Sequence, residues 1–114
     1  MGLSIDEYLK HIFDETTFLS GQLASLDEKR FFNDEAAKRA FVRSLEVIGE
    51  AVKQIPEDIR SRHPKIQWKL IAGMRDKLIH KYFGVDYDIV WDAVTNRVPE
   101  LEKTVRKMLK VSNG

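Results

Sequence analysis

The chain has 114 residues, 19 Lys/Arg against 18 Asp/Glu for a net charge of +1, and no cysteine. Such a length predicts one domain over residues 1–114, with a core of four or five helices and enough uncovered surface to make a homodimer expected. The absence of cysteine excludes disulfides, thiolate nucleophiles and Cys-ligated zinc, and it fits a reducing cytoplasm.

Near the N-terminus, Ser4 and Glu7 form a capping box, and Ile5, Leu9, Ile12, Thr16, Leu19, Leu23 and Leu26 recur every three or four residues behind it. The spacing predicts an amphipathic helix to about Ala24, with Gly21 as a kink or frayed end. Residues 25–33 read as a connection whose Phe31-Phe32 pair packs back on the core, and Asn33 is a plausible N-cap. A second long helix is expected from Asp34 to about Gln54. It carries a stripe of large residues (Phe41, Leu45, Ile48, Val52, Ile55) and a stripe of small ones (Ala37, Ala40, Ser44, Val47, Ala51). A small-residue face lets another helix approach closely, within the chain or across a dimer. Gly49 costs about 1 kcal/mol in a helix interior, which points to a close packing contact there.

Pro56 fits the first turn of a short helix through Ile59, closed by His63-Pro64. A third long helix is predicted from about Ile66, with Trp68, Ile71, Arg75, Leu78 and Tyr82 on one face, so that Arg75 sits in an otherwise apolar seam. Gly84 marks its stop, and Asp86 or Asp88 caps the last helical region. There Val94, Val98, Leu101, Val105 and Met108 stay in phase across Pro99, favouring a kink over a break, with fraying from Ser112. No strand-like alternation competes, and the fold class is all-α.

His11, His63 and His80 form no i, i+4 metal pair, and no apolar run approaches the roughly 18 residues of a membrane span. With no signal-peptide pattern at the N-terminus, a soluble cytoplasmic chain is expected, with no metal, no cofactor and no membrane association. Charge divides unevenly: residues 1–57 hold 7 Lys/Arg against 11 Asp/Glu, and residues 58–114 hold 12 against 7. A basic patch near Arg75 is compatible with that asymmetry, as is an ordinary solvated helix face.

Within Arg75-Asp76-Lys77-Leu78-Ile79-His80-Lys81-Tyr82 a strong cation, an imidazole and a phenol come together. These groups suit holding a phosphate and moving protons around it. Each also has a plain structural reading: Arg75 paired with Glu46 or Glu50, Tyr82 as a core aromatic, His80 as a helix-terminal histidine. On one ideal helix Tyr82 nearly eclipses Arg75, while His80 lies about 140° round from it. Either the helix loosens before Gly84, or a second chain completes the site across a twofold axis.

Leu45-Glu46-Val47-Ile48-Gly49-Glu50-Ala51, the stretch from Ile66 to His80, Tyr82-Phe83-Gly84-Val85-Asp86 and Val90-Trp91, in that order, resemble the HepT-like branch of the HEPN superfamily. The resemblance runs from about Leu3 to Leu109; Asp76 stands where many HEPN domains carry Asn and keeps a short polar side chain. It implies an up-and-down helical bundle of four to five helices that dimerises around a shared cleft. It further implies a metal-independent endoribonuclease toxin neutralised by an MntA-like nucleotidyltransferase antitoxin, which transfers AMP to the motif tyrosine, here Tyr82. On that basis Arg75 and His80 are the catalytic candidates acting on an RNA substrate, Tyr82, Lys77 and Lys81 contact the substrate, and Asp76 supports the motif. The alternative is a noncatalytic HEPN protein that binds a nucleotide or a partner and is regulated by a nucleotidyltransferase.

Overall fold

The computed structural model describes residues 3–80 and 84–113. Its first helix, α1 (Ile5–Leu23), starts at the expected capping box: Glu7 N–H donates to Ser4 Oγ at 3.2 Å, and Ser4 N–H donates to a Glu7 carboxylate oxygen at 3.3 Å. Leu9, Ile12, Thr16 and Leu19 are buried along one face, and α1 packs against α3 (Glu35–Lys53) and the C-terminal helix.

The expected connection before α3 instead contains one helical turn, α2 (Glu28–Phe32), capped by Asp27, whose carboxylate accepts from Arg30 N–H at 2.8 Å. Its aromatics do pack back on the core. Phe31 is fully buried, with its ring centroid 4.9 Å from Phe41 and 5.1 Å from Trp91. Asn33 is not the cap of the next helix: it closes α2, and its amide donates to the Lys29 carbonyl. Asp34 caps α3 instead, because its carboxylate reaches Ala37 N–H at 3.0 Å and satisfies a first-turn donor.

Both stripes of α3 are used. Phe41, Leu45, Ile48 and Val52 enter the core, while Ala37, Ser44 and Ala51 are buried on the small-residue side. For Ser44 the neighbour lies within the chain: its hydroxyl donates to a Glu15 carboxylate oxygen on α1 at 2.7 Å. Gly49 meets the expected close contact, since a Cβ there would stand 3.2 Å from the carbonyl oxygen of Ile71.

Pro56 is the N-cap of the short α4 (Glu57–Arg60), and the His63 carbonyl beyond it accepts from Trp68 Nε1 at 3.0 Å. The predicted third long helix is broken in two. It runs as α5 (Trp68–Ala72) and α6 (Met74–Leu78), separated by Gly73 at φ −88° and ψ 5°. Those angles lie in the bridge region, which glycine, a poor helix former, takes readily. After Leu78 the chain leaves the helix for β1 (Ile79–His80), which pairs antiparallel with β2 (Gly84–Val85): Ile79 faces Val85 and His80 faces Gly84. This two-residue ladder has no alternating apolar pattern to announce it, and the fold remains all-α. Asp86 N–H also donates to the Leu78 carbonyl at 2.7 Å, tying the returning chain to the end of α6.

Asp86 caps α7 (Tyr87–Asn96), accepting from the N–H groups of Asp88 and Ile89. Pro99 was expected to kink one helix; instead α7 ends and α8 (Val98–Asn113) begins, with Arg97 between them. Pro99 has no N–H for the Thr95 carbonyl, and it sits in the first turn of α8, where a missing donor costs little. The apolar stripe nevertheless continues through Val94, Val98, Leu101, Val105 and Met108, all buried. The helix is also longer than expected, since α8 runs through Ser112 to Asn113. No described helix is long and apolar enough to cross a membrane.

Candidate nucleic-acid site

The break at Gly73 decides where Arg75 goes. Counting from Ile71, either Met74 or Arg75 can fall toward the core on a helix, being three and four residues on. In the structure Met74 and Leu78 are buried and Arg75 is exposed. The thioether is buried at far lower cost than a guanidinium. Arg75 therefore does not sit in the apolar seam expected of it; its side chain is 58% exposed, and its Nε donates to Glu46 Oε2 at 3.3 Å.

Of the two carboxylates within reach by sequence, only one takes that role. Glu50 pairs with Lys53 at 3.1 Å, one turn along α3, while Glu46 faces α6. The stretch of α3 that carries Glu46 is anchored in the core by Leu45 and Ile48. An ion pair this exposed adds only about 0.2–1 kcal/mol to folding.

Arg75 stands on the rim of an open groove of about 540 Å³. Tyr8 and His11 line it from α1, and Arg43, Glu46 and Glu50 line it from α3. Two further cationic or titratable groups, Arg43 and His11, thus share one surface with Arg75. Sequence reasoning did not place Tyr8, His11 or Arg43 in the site. A signal for them exists: Tyr8 and His11 are three residues apart, and Arg43, Glu46 and Glu50 follow at spacings of three and four, so each set shares a helix face.

The other motif residues separate. Asp76 and Lys77 are exposed on α6. His80 is not on a helix at all, because α6 ends at Leu78, and its backbone lies in β1 opposite Gly84. The angular relation drawn from one regular helix therefore does not hold. Lys81 and Tyr82, expected to contact substrate, lie outside the described residues. Gly84, the expected stop signal, has φ +78°, a left-handed conformation that favours glycine and lets the chain turn back toward α6. Among the described residues no group of three or more His, Asp or Glu side chains is arranged to hold a metal ion.

The sequence matches the family described as "Ribonuclease HepT-like" over residues 5–108. A protein of Caldanaerobacter subterraneus subsp. tengcongensis named "Putative RNase" is 52% identical over 103 residues, covering 90% of this chain and 92% of its own length. Another protein with that name, from Methanocaldococcus jannaschii, is 54% identical over 85 residues, covering 75% of this chain and 73% of its own. "Probable ribonuclease HepT" of Thermococcus cleftensis is 38% identical over 110 residues, covering 96% of this chain and all of its own. No solved structure matches the chain significantly.

Proposed function

The chain belongs to the HepT-like ribonuclease family, and from that premise we propose that it is an endoribonuclease in which Arg75 holds the scissile phosphate and His80 moves the protons. The observation that carries this reading is Arg75 itself. Although it pairs with Glu46, its side chain is 58% exposed at a groove, with Nε held and its terminal nitrogens directed to no hydrogen-bond partner among the described residues.

In the proposed reaction the ribose 2′-hydroxyl attacks the adjacent phosphorus, and the bond to the 5′-oxygen of the next nucleotide breaks, leaving a cyclic phosphate and a 5′-hydroxyl. A proton leaves the 2′-oxygen and another reaches the departing 5′-oxygen. An imidazole with a reference pKa of about 6.5 serves either transfer near neutral pH. The Arg75 guanidinium binds the nonbridging oxygens and stabilises the charge that builds on them. No step in this scheme needs a metal ion. Lys77 and Lys81 add phosphate contacts.

The protein works as a homodimer in the cytoplasm, with two copies of the motif facing a common cleft, and as the toxin of a pair whose antitoxin is an MntA-like nucleotidyltransferase. Transfer of AMP to the Tyr82 hydroxyl, with release of pyrophosphate from ATP, places bulk and negative charge in the cleft and repels RNA. The chain expressed alone is expected to arrest growth and to cleave RNA in the presence of EDTA. Coexpression with the nucleotidyltransferase should relieve arrest and add AMP mass, which Tyr82→Phe prevents. RNA cleavage that survives His80→Ala overturns the catalytic assignment. AMP addition without any RNA cleavage or growth arrest marks a noncatalytic partner-binding protein instead.

A further inference from the structure

We infer that Glu46 is the positioning residue that sets the Arg75 guanidinium for phosphate capture, an inference that rests on the ribonuclease reading above. A guanidinium offers two edges to an oxyanion: the side edge, which includes Nε, and the end formed by Nη1 and Nη2. Glu46 takes Nε–H at 3.3 Å, so the side edge is engaged and, among the described residues, the two terminal nitrogens remain as the fork for phosphate oxygens. The bound phosphate therefore meets Arg75 end-on.

The two partners differ in how firmly they are held. Arg75 lies on the five-residue α6, between the break at Gly73 and the β1 ladder, and its side chain is 58% exposed. Glu46 lies mid-way along the nineteen-residue α3 and is 25% exposed. A long exposed arginine on a short helix loses much rotamer freedom on binding phosphate, and a carboxylate fixed on a rigid neighbour removes part of that cost in advance. Gly49, one turn after Glu46, lets the α5 carbonyls approach α3 to near contact and so holds the distance across which the pair forms.

Glu46→Ala and Glu46→Gln separate this role from others. Glu46→Ala is expected to fold normally and to lower kcat for RNA cleavage about 10- to 100-fold, with a smaller change in KM, as misplacement of a catalytic group does. Glu46→Gln, whose amide oxygen still accepts Nε–H, is expected to recover most of the rate with an unaltered pH profile. Independently of turnover, the Arg75 Nε–H resonance should exchange slowly in the wild type and in Glu46→Gln, and rapidly in Glu46→Ala. Wild-type kcat in Glu46→Ala, or an Nε–H equally unprotected in all three, overturns the inference while leaving the ribonuclease reading intact. A Glu46→Gln variant as poor as Glu46→Ala, with one limb of its pH profile lost, overturns it by making Glu46 a proton-transfer group. If the wild type cuts no RNA, the ribonuclease reading fails and the catalytic role of Glu46 fails with it, whatever the resonance shows.

Discussion

A Cβ on Gly49 would lie 3.2 Å from the carbonyl oxygen of Ile71, so α3 and α5 approach to the limit that a missing side chain permits. Gly49→Ala gains about 1 kcal/mol of helix propensity. The methyl, however, meets backbone, which cannot swing aside, and overpacking of this kind costs about 1–3 kcal/mol. We expect a net loss of up to about 2 kcal/mol in denaturant unfolding, together with reduced RNA cleavage, because α5 leads directly into the helix bearing Arg75. Unchanged stability with unchanged cleavage would show that the contact is slack.

Phe31 joins α2 to the rest of the core, with its ring packed on Phe41, Phe32, Tyr87 and Trp91. Truncation leaves a cavity that a one-turn helix cannot refill. Phe31→Ala should cost about 3–5 kcal/mol, read as a fall in the urea midpoint, whereas Phe32→Ala, at a half-buried position, should cost clearly less.

At Gly84 the backbone has φ +78°, where an L side chain is strained although nothing crowds the site. Gly84→Ala is expected to destabilise by about 1–2 kcal/mol. Because Gly84 pairs with His80 across the two-residue ladder, cleavage should fall more than the stability loss alone accounts for. An activity measurement on the fully folded variant checks this.

Ser44 seats α1 on α3 through its hydrogen bond to Glu15. Removing a donor to a carboxylate costs about 1.5–3 kcal/mol, so Ser44→Ala should lower the thermal midpoint. Ser44→Leu should be worse, since its bulk would force the two longest helices apart. A Ser44→Leu variant as stable as the wild type would mean that α1 can slide.

Arg75→Lys keeps the positive charge but loses the planar fork. If the guanidinium binds two phosphate oxygens at once, Arg75→Lys should cleave RNA at least about tenfold more slowly, with Arg75→Ala slower still, since loss of a comparable charge-stabilising donor costs about 10²–10³-fold. Full activity in Arg75→Lys would reduce the residue to a point charge.

Although the third helix, expected to stop at Gly84, ends at Leu78, sequence alone determined the helical class, the capping box at Ser4 and Glu7, most of the core stripes of α1, α3 and α8, and the close approach at Gly49. Each depends on local chemistry or on a period repeated over many residues, and both survive without knowledge of neighbours. What only the tertiary structure decided lies where two local solutions were nearly equal in energy. Met74 and Arg75 were both within reach of the seam, and the turn at Gly73 gave the core to the methionine. Either Glu46 or Glu50 was within sequence reach of Arg75, and the packing of α6 on α3 chose Glu46 while Lys53 engaged Glu50. The groove follows the same logic: Tyr8, His11 and Arg43 are distant from Arg75 along the chain, and only the packing of α1 and α6 on α3 brings them to one surface.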